Sequence, residues 1–217
     1  PARISDCVII DDRADEFEAA VRYLVDEAQV GVINVSMGTF ARLLAPVPLA
    51  RALDHAYERG VIVCCAAGNV PVPGWPAYPA RLARSIAVAG VTQQARRWAL
   101  SSSGAWVDFS APAKEIWRAA TMPGSDYGFA RTGGGTTFAA AMTSGAAALW
   151  LLRHDQAIAS RYVMPWQRIE AFRLMVRRTA WRPADWDNDS GLGAGILNVA
   201  ALMDPQNLPD IHELQQR

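Results

Sequence analysis

The apolar positions of this chain alternate between short β-branched runs and stretches that repeat every three or four residues. Cys7 to Ile10 (CVII) is a short apolar run followed by Asp11 and Asp12, as a buried strand leaving a core would be. Phe17, Ala20, Val21, Leu24, Val25 and Ala28 then recur at helical spacing, which predicts a helix over Asp15 to Gln29 with acidic residues in its first turn. Val30 to Ser36 (VGVINVS) reads as a second strand, Leu49 to Arg59 as a second helix stopped by Gly60, and VIVCCAAGN as a third strand ending in a turn. This order of strand, helix, strand, helix, strand predicts a parallel sheet wound with helices.

The middle of the chain follows a different pattern. Val70 to Pro79 (VPVPGWPAYP) holds too much proline for a helix or central strand and reads as a surface loop. Ser85 to Val91, Trp106 to Pro112 and Glu115 to Ala120 read as short strands. A helix of small residues follows from Thr137 to Arg153, and an amphipathic one from Pro165 to Thr179. Its apolar stripe, Ile169, Phe172, Leu174, Met175 and Val176, is read as core packing. We expect one domain over 1–203 and a polar C-terminal tail over 204–217.

Composition narrows the functional classes. The 21 basic and 21 acidic residues balance to a formal net charge of +0, which gives no electrostatic reason to expect nucleic acid or an anionic membrane as partner. No apolar run reaches the roughly 20 residues that span a bilayer, and no signal peptide is visible. The chain begins with Pro1 rather than Met, as a processed product or a fragment would, and the sequence assigns no compartment. Adjacent Cys64 and Cys65 point to opposite faces of a strand, so the cysteines read as buried free thiols rather than a disulfide scaffold. Asp185 to Gly191 (DWDNDSG) alternates carboxylates without the glycine or terminal glutamate of a calcium loop, and reads as a polar turn.

In parallel α/β sheets, ligands bind outside the carboxyl ends of the strands. That rule draws together Asn34 to Gly38 and Ala66 to Asn69, each ending a strand. The run Gly133-Gly134-Gly135 delivers Thr136 and Thr137 to a helix N-terminus, where N–H groups favour developing negative charge. A hydroxyl there beside an Asn amide suits an oxyanion site for acyl transfer. The same residues also suit structural roles, with Thr137 as N-cap and Asn69 as a turn residue.

Six ordered motifs, GVINVSMG, VIVCCAAGN, YPARLARSIAVAGV, ALSSSGAWVDFSAP, GTTFAAAMTSGAAAL and GAGILNVAAL, resemble those of the subtilisin-like serine proteases from about Ala2 to Met203. The resemblance implies a three-layer α/β/α sandwich with a mainly parallel sheet, corresponding to the C-terminal two thirds of the catalytic domain. It implies that Asn69 and the backbone N–H of residue 137 serve the oxyanion. Ser36, Met37 and Gly38 would wall a peptide groove by strand addition, and Ala66, Ala67 and Gly68 would line the pocket for the residue before the scissile bond. The substrate would be a peptide or protein, with no cofactor; a structural calcium, which family members can carry, is not indicated by these residues.

The departures are as informative as the matches. The family's G-T-S-x-A-x-P-x-x-x-G motif here reads Gly135 to Gly145 with Thr137 at the nucleophilic serine and Ala141 at the proline. The added methyl of a threonine stiffens the side chain and crowds the approach of an acyl carbon. Neither the D-[ST]-G nor the H-G-T motif that carries the family's Asp and His is present at its place N-terminal to the Cys7 to Ile10 strand, the D-S-G of DWDNDSG lying near the other end of the chain, and His55, His154 and His212 lack the required neighbours. A hydroxyl cannot attack without a positioned base. Three readings follow. One is a serine endopeptidase domain whose Asp and His come from a missing N-terminal segment or partner chain, inactive as printed. The second is a pseudoprotease keeping the groove as a binding module. The third, minor, is acyl transfer to an amine in the space opened at Ala141.

Overall fold

A computed structural model describes residues 14–40, 45–72, 75, 77–122, 124–131, 133–187 and 190–217. The strand expected at Cys7–Ile10 lies outside them. In chain order the elements are helix α1 (Ala14–Arg22), strands β1 (Val32–Val35) and β2 (Thr39–Phe40), helix α2 (Val47–Glu58), and strands β3 (Ile62–Ala66), β4 (Ala77–Tyr78), β5 (Ile86–Val91), β6 (Phe109–Pro112), β7 (Arg118–Met122) and β8 (Ser125–Ala130). Helices α3 (Thr136–Arg153), α4 (Asp155–Arg161), α5 (Pro165–Thr179) and α6 (Val199–Leu202) complete the chain with two short 3₁₀ turns.

The main sheet has the order β1-β3-β5-β6, and every pair in it is parallel. Parallel strands buried on both faces carry continuous apolar runs, and β3 and β5 are buried at every position. Apolar clusters cover both faces. Cys64 joins the cluster under α3 and α5 that contains Trp150, Phe172 and Met175. Cys65 joins the one under α1 and α2 that contains Phe17, Val21 and Leu53. Two adjacent residues in two different cores are the two-residue strand period made visible, and the result is the three-layer α/β/α arrangement.

Three expectations change on contact with the structure. The first helix does not continue to Gln29. It widens after Arg22 into a π-helical stretch, Tyr23–Glu27, closed by Ala28 N–H donating to Tyr23 O at 3.0 Å. The proline-rich 70–79 segment is not all surface: Ala77 and Tyr78 are buried and pair antiparallel with Phe40 and Thr39. The strand expected at Glu115–Ala120 is displaced to Arg118–Met122 and forms a hairpin with β8. Residues 204–217 lie against the body. Leu208 and Leu214 enter the core, Tyr162 Oη donates to Pro209 O, and Arg178 forks onto Glu213.

Candidate functional site

The carboxyl ends of β1 and β3 open on the same side of the sheet, where α3 begins. The glycine run that leads into α3 is pinned to the segment preceding β7. Gly135 N–H donates to Ala113 O, Glu115 N–H donates to Gly133 O, and Lys114 bridges Gly134. Two of these glycines have physical reasons to be glycine. Gly133 has φ +80°, and a Cβ on Gly134 would stand 3.0 Å from the Trp98 indole. Gly135 is the N-cap and Thr136 the first helical residue, so Thr137 is not the N-cap. The Thr137 amide lies in the first turn, where a helix offers its N–H no internal acceptor.

Thr136 organises the site. Its backbone N–H and its hydroxyl both donate to Asn69 Oδ1, at 2.9 and 2.8 Å, and the same hydroxyl accepts from Gly68 N–H at 3.1 Å. A backbone N–H can only donate, so the amide atom that it meets is the oxygen. Asn69, an exposed residue, is thereby oriented with its oxygen on Thr136 and its NH₂ without a hydrogen-bond partner among the described residues. Gly68 reaches this position with φ +108°. The sequence places Thr136 at the helix N-terminus with Thr137 but not its bonds to Gly68 and Asn69, because only the fold brings these residues and the helix start together.

Thr137 is half-buried and faces the end of β1. Its Oγ1 donates to Ser36 O at 3.5 Å, and Ser36 Oγ donates to Thr137 O at 3.4 Å. Asn34 extends this link: its Nδ2 donates to Ser36 Oγ at 2.9 Å, and its Oδ1 accepts from Ser144 of α3 at 3.3 Å. Among the described residues no histidine or carboxylate bonds to Thr137. His55 of α2 pairs at 2.9 Å with Asp26 of the π-helical stretch that follows α1. Only 13% of that imidazole is exposed. His154 is buried at the far end of α3, about 25 Å along the helix from Thr137, and contacts Leu202 O. His212 sits in an exposed 3₁₀ turn.

The other expected site residues divide. Met37 is partly buried against the α1–α2 cluster. Gly38 passes so close to β4 that a Cβ would meet Tyr78 O at 3.1 Å. Ala66 is nearly buried at the end of β3. Ala67 is fully buried with Ala89, Val107 and Leu192, so its side chain packs into an apolar cluster and only its backbone is left to line a pocket. Beside the turn, the Arg118 guanidinium of the β7–β8 hairpin lies 5.4 Å from the ring centroid of Phe138. No group of three or more His, Cys, Asp or Glu residues that could hold a metal ion occurs among the described residues, and no described helix is long and apolar enough to cross a membrane.

Residues 12–195 match the model of the subtilase family. Subtilisin E of Bacillus subtilis (strain 168) is 36% identical over 126 residues, covering 57% of this chain and 31% of its own. Subtilisin Savinase of Lederbergia lenta is 37% identical over 121 residues, covering 54% of this chain and 40% of its own. The match therefore spans less than half the length of these relatives. Among solved structures, the prenylagaramide maturation protease PagA aligns with a TM-score of 0.75 and 24% identity over 93% of this chain and 72% of that one, a likeness of fold. The patellamide maturation protease PatA aligns with a TM-score of 0.72 and 26% identity over 88% and 68%.

Proposed function

The chain belongs to the subtilase family, and from that premise we propose that its β1 end, the Gly68–Asn69 turn and the start of α3 form the peptide groove and oxyanion site of a subtilisin-like serine-type endopeptidase domain. Asn69 Nδ2 and the Thr137 N–H would receive the oxyanion, and Thr137 Oγ1 would occupy the nucleophile's place. Ser36, Met37 and Gly38 would pair with an extended peptide, and Ala66 and Gly68, with the backbone of Ala67, would border the pocket for the residue before the scissile bond. The observation that carries this reading is the double donation of Thr136 to Asn69 Oδ1, which commits the amide oxygen to the helix start and leaves the NH₂ as the end able to donate to an oxyanion.

In this reading the Asp and His come from polypeptide outside the described residues, either an N-terminal segment or a partner chain. Two observations support such a covering segment. Strand β1 is an edge of the sheet among the described residues, and α3 exposes Met142, Leu149 and Leu152 to 43, 54 and 64%. An uncovered strand edge beside an apolar helix face is what soluble proteins avoid. The printed chain alone is therefore expected to lack peptidase activity.

A second reading, a pseudoprotease that binds peptides without cleaving them, is favoured by one specific contact. The Thr137 hydroxyl rests on a main-chain carbonyl rather than on a base. Labelling with a fluorophosphonate separates the two. With the Asp- and His-bearing segment present, the endopeptidase reading expects Thr137→Ser to label rapidly and the natural Thr form slowly. Silence of both forms would sink it and leave the binding module. Turnover by the isolated chain that disappears with Thr137→Ala would overturn the expectation of inactivity.

A further inference from the structure

The β7–β8 hairpin has two unlike faces. Its register, Arg118↔Ala130 and Ala119↔Phe129, continues back to the bridge between Lys114 and Gly134 and sets Trp117 opposite Arg131. Side chains alternate across a strand, so Arg118 and Ala130 share one face, and Trp117, Ala119, Phe129 and Arg131 share the other. The first face is half-buried, and Arg118 on it lies over the ring of Phe138 at the start of α3. The second is open at all four positions, with Trp117 64% and Phe129 73% exposed. Arg131 is stacked on the Trp117 ring at 5.8 Å, and its Nη2 and Nε donate to Gln93 Oε1 at 2.8 Å and Glu115 O at 3.3 Å. Both acceptors are neutral, and among the described residues this guanidinium meets no carboxylate.

The place of the hairpin in the fold gives this open face an occupant. The chain enters the hairpin from β6, at the opposite edge of the main sheet from β1, and leaves it through the glycine run into α3. A peptide laid along Ser36 to Gly38, past the end of β1, meets Asn69 and Thr137 next and then the hairpin, as it crosses the carboxyl ends of the sheet toward the β6 edge. Trp117 and Arg131 stand about 10 Å along the strand from Gly134, and Phe129 about 17 Å. We infer that the outer face of the hairpin receives the part of a groove-bound peptide that lies beyond Thr137, and selects chains with an aromatic or large aliphatic side chain next to a carboxylate, roughly three to six residues past the bond held at Thr137. Aromatic rings and arginine are the residues that dominate binding at protein interfaces. The apolar side chain packs on Trp117 and Phe129, and the carboxylate accepts from Arg131, whose charge the protein itself leaves unmatched among the described residues. This inference rests on the groove proposed above and not on whether that groove cleaves.

The test is fluorescence anisotropy on the complete protein carrying Thr137→Ala, with three labelled peptide pools that share a randomised upstream half and repeat Phe-Asp, Phe-Lys or Ser-Asp in the downstream half. The Phe-Asp pool is expected to bind about 10-fold more tightly than either of the others. Trp117→Ala with Phe129→Ala should remove its advantage over Ser-Asp, and Arg131→Gln its advantage over Phe-Lys. Benzoylphenylalanine in place of the downstream Phe should photo-crosslink to residues 117–131. Thermal unfolding checks that the variants are folded, and Phe129→Lys, which changes one exposed side chain, replaces the double variant if that one is not. Equal binding of the three pools, or crosslinks elsewhere, overturns the inference. So does self-association or binding to phosphatidylserine vesicles that Phe129→Ala abolishes, since either gives the face another occupant. The same pools offered to the complete Thr137→Ser protein separate this surface from the catalytic reading. Cleavage without downstream preference overturns the surface and keeps the endopeptidase; preferential binding without cleavage supports the surface and leaves the binding module.

Discussion

Thr136 holds Asn69 by two hydrogen bonds to the same atom, Oδ1, at 2.9 Å from the backbone and 2.8 Å from the hydroxyl. One bond would leave the amide free to rotate about the contact; the second, with Gly68 N–H feeding the hydroxyl from behind, fixes its direction. The site's polar end is therefore set by a residue that is itself fully buried.

Replacing Thr136 with Val keeps the shape and the backbone bond but removes the hydroxyl, which leaves Gly68 N–H without its acceptor. A lost bond of this kind costs about 1–3 kcal/mol, to be read from denaturant unfolding. In the Thr137→Ser form of the complete protein, the same change should slow fluorophosphonate labelling on the order of 10-fold or more, because the Asn69 amide is no longer aimed. Stability loss with unchanged labelling would show that Thr136 serves the fold alone.

Much of this arrangement was legible in the sequence, and the rest depended on partners remote in the chain. Periodicity found α5 at its observed bounds, Pro165–Thr179, because one face of that helix meets a continuous apolar cluster. Cys64 and Cys65 were separable by the strand period alone. By contrast, β4 holds two residues and exists only because β2 lies across from it, so no local pattern could announce it. Leu208 and Leu214 are isolated apolar residues in a polar segment, and nothing nearby in sequence marks them as core. The helix-start hydroxyl of Thr136 was visible, but its acceptor stands 67 positions away.

The two described cysteines should be chemically silent. Burial is the main cause that pushes the Cys64 thiol up to about 12, and it raises Cys65 as well. A thiolate is the reactive form, so iodoacetamide at neutral pH should leave both unlabelled in the native protein and modify both in denaturant, as peptide mass spectrometry would report. Native labelling of either would mean that β3 opens locally.

Trp150 anchors the core beneath α3. It is fully buried, its Nε1 donates to Met175 Sδ at 3.1 Å, and it meets Phe172 edge-on at 5.4 Å. Trp150→Ala should cost about 3–5 kcal/mol, whereas Leu149→Ala, on the exposed face of the same helix, should cost under about 1 kcal/mol in the chain alone. If a further segment covers that face, the Leu149 variant becomes costly in the completed protein. The comparison of the two forms by chemical unfolding therefore tests the covering segment as well as the core.

The packing of residues 204–217 should be sensitive to acid through one group. Arg178 forks onto Glu213 at 2.7 and 3.0 Å, and the Asp210 N–H donates to the same carboxylate at 2.8 Å. The Arg178 bond first, and the Asp210 bond second, hold the Glu213 carboxyl down from 4.5 to about 2. The folded form thus binds fewer protons than the unfolded form between those values, and its stability falls as the pH falls. This contribution is complete above about pH 4.5 and is lost as the pH drops toward 2. Because the ion pair lies at the surface, salt should weaken it. Hydrogen exchange of Leu208 and Leu214 amides across that range should rise in the natural protein, and Glu213→Gln should show the raised exchange already at neutral pH with a flatter acid profile. An unchanged profile in the variant would mean that the buried leucines, rather than this ion pair, hold the segment in place.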